Sequence, residues 1–185
     1  FEEFRNAVYP HIFKVVSTYK DIQRWPVMNE PMLPHANALG LTSKQTIEII
    51  KEGVRAIRDV DRDARIEINI PNPGGESWGA NPYDFLKEAI QSDANFDTIG
   101  LQLYYNGSGY SGWPNVSGKL FHFRRRTLAE IAGIIDKYSA LGKKIDITEF
   151  TLPSNDPPGN QGYWGQLWSP ELQAEYLRAA YTLFF

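Results

Sequence analysis

Four short runs, residues 24–30, 65–70, 98–104 and 144–150, have the length and the β-branched or alternating character of strands, and each is flanked by segments of helical period. This alternation leaves few folds open. Residues 2 to about 20 place Phe4, Val8, Ile12, Val15, Val16 and Tyr19 on one side of a helix that Pro10 is expected to kink or split. Thr42 or Ser43 caps a second helix, in which Ile47, Ile50, Val54 and Ile57 recur at steps of three and four as far as about Asp59. Asn81-Pro82 opens a third, bearing Phe85, Leu86, Ala89 and Ile90. A fourth is predicted over roughly 127–141, with Leu128, Ile131, Ile134, Ile135, Tyr138 and Leu141, and it stops at Gly142. Ser169-Pro170-Glu171 caps a last one, carrying Leu172, Tyr176, Leu177, Ala180 and Leu183.

Strands joined by crossover helices must be parallel, so the fold class is α/β, and either a doubly wound sheet or a (β/α) barrel satisfies the pattern. A doubly wound sheet usually shows a glycine-rich phosphate loop after a strand, and neither GxGxxG nor GxxxxGK[ST] occurs. The polar residues favour the barrel. Asn29-Glu30, Asn69 with Asn72, Gln102 with Tyr104, and Glu149 all fall at the C-terminal ends of strands, the rim where barrel active sites are assembled. The expected architecture is a partial (β/α)8 barrel of four parallel βα units, forming one domain over residues 1–185.

Composition narrows the function. Nineteen Lys and Arg against 22 Asp and Glu give a net charge of −3, and the one dense basic cluster is Arg124-Arg125-Arg126, which argues against nucleic acid as a partner. No stretch approaches the roughly 18 apolar residues of a membrane span, so no membrane contact is expected. The chain opens at Phe1 without a Met and without a charged leader, and we expect an upstream piece to have been lost or processed away. The absence of Cys removes disulfides, thiolate metal sites and Cys nucleophiles. His11, His35 and His122 are scattered without metal-ligand spacing, and Ser108 and Ser154 lack a GxSxG setting.

Glu30 and Glu149 each follow an apolar strand-like run directly. Alone, Glu30 reads as a turn acid ahead of Pro31, and Glu149 as a rim charge. At matching places in one repeating pattern, they read as a pair facing each other across a barrel mouth. Cleavage of a glycosidic bond needs such a pair, one to protonate the leaving oxygen and one to attack or to activate water, about 5 to 5.5 Å apart when configuration is retained. The aromatic content fits a sugar ligand. Trp78, Trp113, Trp164 and Trp168 lie in Gly- or Pro-rich segments, where they act either as lids over small apolar clusters or as flat platforms for a sugar face.

These residues also carry a family resemblance. Trp25-Pro26-Val27-Met28-Asn29-Glu30-Pro31 resembles the strand-four segment of clan A glycoside hydrolases, and Lys144-Ile145-Asp146-Ile147-Thr148-Glu149-Phe150 resembles their strand-seven segment. Ile99-Gly100-Leu101-Gln102 and Gln173-Ala174-Glu175-Tyr176 are similar to tracts of glycoside hydrolase family 10, the xylanase family. The resemblance covers essentially the whole chain. It implies a secreted or extracellular retaining hydrolase of β-1,4-linked plant polysaccharide, most of all xylan, working without a cofactor. Glu30 would be the acid/base and Glu149 the nucleophile. Asn29, Asn69, Gln102 and Tyr104 would bind substrate or orient Glu149, and Trp78, Trp164 and Trp168 would be sugar platforms. Other readings are mannan or cellulose as substrate, or a carbohydrate-binding remnant without catalysis. Pro26, Met28 and Tyr104 depart from the family's usual Asp, Val and His, and Pro26 is awkward if its strand is central. A full barrel needs roughly 250 residues. The tracts that resemble this family run from strand four to strand seven, so two sheet edges should stand open, and a homo-oligomer or a longer polypeptide is expected to close them.

Overall fold

The computed structural model describes residues 1–31, 37, 39–71, 81–103, 127–150 and 169–184. The elements are α1 (Glu2–Thr18), β1 (Arg24–Asn29), α2 (Ser43–Val60), β2 (Arg65–Ile70), α3 (Pro82–Gln91), β3 (Thr98–Gln102), α4 (Leu128–Ser139), β4 (Lys144–Glu149) and α5 (Pro170–Phe184). The strands form one parallel sheet in the order β1-β2-β3-β4. Sequential order decides between the two architectures. A doubly wound sheet reverses direction at a switch point, whereas here every right-handed crossover puts its helix on the same face, as in a barrel wall.

Local chemistry sets the helix ends. Thr42 and Thr127 each accept from the backbone N–H three residues on, and Gln45 and Glu130 reach back to the cap N–H, so both helices start with a capping box. Asn81 caps α3 ahead of Pro82, and Ser169 Oγ accepts from Leu172 N at the start of α5. α4 ends at Ser139, and Gly142, at φ +74°, turns the chain back toward β4. Of the two outcomes expected at Pro10, a kink or a split, the split does not occur: α1 runs from Glu2 to Thr18. Both Pro10 and Asn6, whose carbonyl loses its intrahelical donor, are exposed, so water can take the place of the missing N–H.

Ile66, Ile68 and Ile70 of β2 and Ile99, Leu101 and Leu103 of and after β3 are fully buried on the helix side. There they share one core with Ile50 and Ile57 of α2, Leu86 of α3, Ile131 of α4 and Tyr176 of α5. At about 1.5–3 kcal/mol for each fully buried large apolar side chain, this layer dominates stability. The other face is polar. Pro26 lies on β1, an edge strand among the described residues. Gln23 O bonds to Arg65 N, so Trp25 faces β2 and Pro26 turns its missing donor to the open side, where no ladder bond is lost.

Candidate active site

On the polar face, Arg65, Glu67 and Asn69 of β2 alternate with the outward isoleucines, and Thr98, Gly100 and Gln102 do the same on β3. The two outer strands reach this face by a different device. Each carries one extra residue, β1 between Pro26 and Met28 and β4 between Ile147 and Glu149. Strict alternation from Arg24 and Pro26 would point Asn29 toward the helices. The bulge instead packs Met28 against the core and turns Asn29 inward, and on β4 it brings Thr148 and Glu149 to the polar face together.

The result is a hydrogen-bonded row along the C-terminal rim. Gln102 Nε2 donates to Glu149 Oε1 at 2.9 Å and to Asn29 Oδ1 at 3.4 Å. Asn69 Nδ2 donates to the same Asn29 oxygen at 2.6 Å, and Thr148 Oγ1 donates to Asn69 Oδ1 at 2.5 Å. Asn29 is exposed while Asn69 and Gln102 are buried. Gln102 Oε1 is buried without a partner, an arrangement that costs about 1–3 kcal/mol and that points to a role for the nitrogen end of the amide.

Glu30 follows Asn29 directly and has φ +51°, while its N–H still bonds Asn69 O at 2.8 Å. A non-glycine residue in the left-handed region costs about 1–2 kcal/mol. Such strain gathers at functional sites. Of the residues expected to serve the site, Asn29, Glu30, Asn69, Gln102 and Glu149 all lie at this rim; Tyr104, Trp78, Trp164 and Trp168 lie outside the described residues.

Below the rim is a charged layer that the sequence reading did not single out. Arg24 Nη2 lies 2.5 Å from Glu67 Oε2 and 2.9 Å from Asp146 Oδ2. Arg65 donates to Asp146 at 2.6 Å and to Thr98 Oγ1 at 2.9 Å. β1 and β4 are the outer strands of the sheet, three spacings or roughly 14 Å apart if it were flat. A direct Arg24–Asp146 ion pair therefore requires the sheet to curl around its polar face. Burial pushes the Glu67 carboxyl above the ordinary glutamate value, and its hydrogen bond to Arg24 opposes the shift.

Gly100 makes these contacts possible. A Cβ there would lie 2.8 Å from Asn69 Oδ1, 2.8 Å from Thr148 Cγ2 and 2.9 Å from Glu67 Cδ. Only the absence of a side chain on β3 lets β2 and β4 meet across it. The signal available in the sequence was the polar half of the alternation, Arg65-Glu67-Asn69, together with one glycine inside the strand that runs from Thr98 to Gln102. Among the described residues, no group of three or more His, Asp or Glu side chains is arranged to hold a metal ion, and no helix is long and apolar enough to cross a membrane.

This curled sheet, polar within and helix-covered without, is shared with solved structures. A family 10 glycoside hydrolase from Paenibacillus barcinonensis superimposes with a TM-score of 0.65 at 21% identity, covering 99% of this chain and 52% of the other. A psychrophilic family 10 endo-β-1,4-xylanase gives 0.66 at 22% identity, with 98% and 53% covered. The family 53 catalytic domain of Ignisphaera aggregans gives 0.63 at 17%, with 98% and 50% covered. The chain thus spans about half the length of these proteins, and its fold is a partial (β/α)8 barrel. No curated protein matches the sequence. The model of Glycosyl hydrolase family 10 matches residues 1–180, and the chain belongs to that family.

Proposed function

We propose that this chain carries the catalytic rim of a retaining glycoside hydrolase that cuts β-1,4-linked plant polysaccharide, xylan above all, by double displacement. The observation that carries the reading is the row from Glu149 through Gln102 to Asn29, which ties the end of β4 to the residue beside Glu30. Glu149 attacks the anomeric carbon and Glu30 protonates the leaving oxygen. Glu30 then takes a proton from the water that releases the sugar. Asn29 Nδ2 donates to the 2-hydroxyl, a bond that tightens as the ring takes on oxocarbenium character. Family membership supports a polysaccharide substrate, and action on it outside the cell is part of the same proposal. Among the described residues β1 and β4 are the outer strands of the sheet, and their outer edges are closed by further βα units, from a second copy or from a longer polypeptide.

Release of reducing sugar from xylan, mannan and cellulose by the purified chain tests the substrate. Xylan is expected to be the best of the three. Glu149→Gln should abolish turnover, and ordinary activity in that variant would remove it as nucleophile. Glu30→Ala should retain the first step on an aryl xyloside whose leaving group needs no proton, while losing xylan. Binding without release would favour a carbohydrate-binding remnant. Sedimentation addresses closure, with association expected and a well-folded monomer refuting pairing between copies.

A further inference from the structure

The amide row at the rim has a direction. An ionised carboxylate only accepts hydrogen bonds, so Gln102 must turn Nε2, and not Oε1, toward Glu149. The second hydrogen of that nitrogen points at Asn29, which must answer with Oδ1. Asn69 Nδ2 meets the same oxygen, which commits Asn69 Oδ1 to the far side, where the Thr148 hydroxyl donates to it. Each amide is thereby held in one of its two flip states. The unpartnered Gln102 Oε1 is what this polarity leaves behind, since the opposite flip would pair oxygen with oxygen at Glu149 and Asn29. At the open end of the row, Asn29 Nδ2 donates to nothing among the described residues, and Asn29 is exposed.

We propose that Asn69 and Thr148 are positioning residues, and that they complete a relay anchored on the Glu149 carboxyl oxygen that accepts from Gln102, which presents the donor end of the Asn29 amide, and not its acceptor end, to the sugar. The proposal rests on the functional reading above for the identity of the ligand, but the relay itself does not depend on it. Thr148 acts at two removes from substrate. Its hydroxyl holds Asn69, Asn69 holds Asn29, and Asn29 touches the sugar. Without the hydroxyl, Asn69 keeps its place in the strand but loses the donor that fixes its flip, and Asn29 is left with the longer bond from Gln102 as its sole restraint.

Thr148→Val removes the hydroxyl at nearly constant shape, and Thr148→Ser restores it. In the 15N-labelled chain, the side-chain amide signals of Asn69 and Asn29 should shift in Thr148→Val, and the Asn69 pair should lose protection from hydrogen exchange; Thr148→Ser should return both to their original state. Unchanged Asn29 signals in Thr148→Val, or equal changes in the two variants, would overturn the relay and leave Thr148 a packing residue. A second arm compares a xylo-oligosaccharide with its 2-deoxy analogue by calorimetry. Thr148→Val should weaken the first roughly five- to tenfold and leave the second unchanged, and equal weakening of both would also count against the relay. A parent chain that binds no sugar while the amide signals behave as expected would overturn the functional reading and leave the relay standing.

Discussion

Replacing Gly100 by Ala tests the packing at the centre of the polar face. The added methyl would meet three atoms of three different side chains at 2.8–2.9 Å, all inside the 3.4 Å at which ordinary contact begins. The site is fully enclosed, so at least one neighbour must move. Overpacking of this kind costs about 1–3 kcal/mol. Displacing Asn69 or Thr148 also removes their mutual hydrogen bond, about another 1 kcal/mol. The loss of freedom in the unfolded chain works the other way, by about 0.4–1 kcal/mol. The net expectation is a loss of about 1–3 kcal/mol, which for a chain of this size lowers Tm by about 3–10 °C. Gly133 is the internal control. It lies within α4, and a Cβ there meets nothing within 4 Å. Gly133→Ala should therefore gain about 0.5–1 kcal/mol from helix propensity alone. Urea unfolding followed by circular dichroism measures both. A Gly100→Ala midpoint equal to that of the parent would refute the claim that β2 and β4 meet across an empty position.

Three further outcomes are expected. Glu67, with its folded pKa above the ordinary 4.5, binds more protons folded than unfolded in the window above that value, so its contribution is fully present below 4.5 and is lost as pH rises through the folded value; Glu67→Gln should flatten that part of the stability profile measured by urea midpoints, and an unchanged slope would count against it. Glu30→Gly relieves a left-handed glutamate, so stability should hold or rise by up to about 1 kcal/mol even as activity is lost, and a clear destabilisation would show that the conformation is not strained. Thr127→Ala removes one half of the α4 capping box and should cost about 1 kcal/mol in the same assay, with no change meaning that the helix start is held by packing alone.

Much of this fold could be read directly from residue pattern. The helix starts at Thr42, Asn81, Thr127 and Ser169 are local hydrogen-bonding events; Thr42 (or Ser43), Asn81 and Ser169 were visible as cap residues before an apolar period, and for the helix from Thr127 only the apolar period was read. The four strands were equally plain, although the runs read as far as 30, 104 and 150 end at Asn29, Gln102 and Glu149. At Pro10 the sequence could not choose between a kink and a split, because proline's effect depends on whether water can reach the carbonyl it orphans, and exposure is a tertiary property. Thr148 and the charged layer went unassigned for a related reason. Alternation says which residues share a face but not which faces curl together, and Arg24 meets Asp146 only because the sheet closes on itself. The two bulges were the deepest gap, since period-two reasoning sends Asn29 to the wrong side and separates Thr148 from Glu149.

Those bulges also explain why the rim is built as it is. Inward side chains of a barrel wall stack in layers supplied by alternate strands. Here Glu67 and Asp146 of β2 and β4 form one layer, Pro26 and Gly100 of β1 and β3 the next, Asn69 and Thr148 the third, and Asn29 and Gln102 the top. The Pro26–Gly100 layer is thin, so the layers above and below it nearly touch, and the polar row is seated on the ion pairs with no apolar floor between them. Two guanidinium groups and two carboxylates make that floor formally neutral when all are ionised. The balance leaves the direction of the amide row to Glu149 and not to charge from beneath. Protonation of Glu67 would upset this balance by leaving one positive charge in excess two residues below Asn69, which links the acid–base state of the floor to the geometry of the rim.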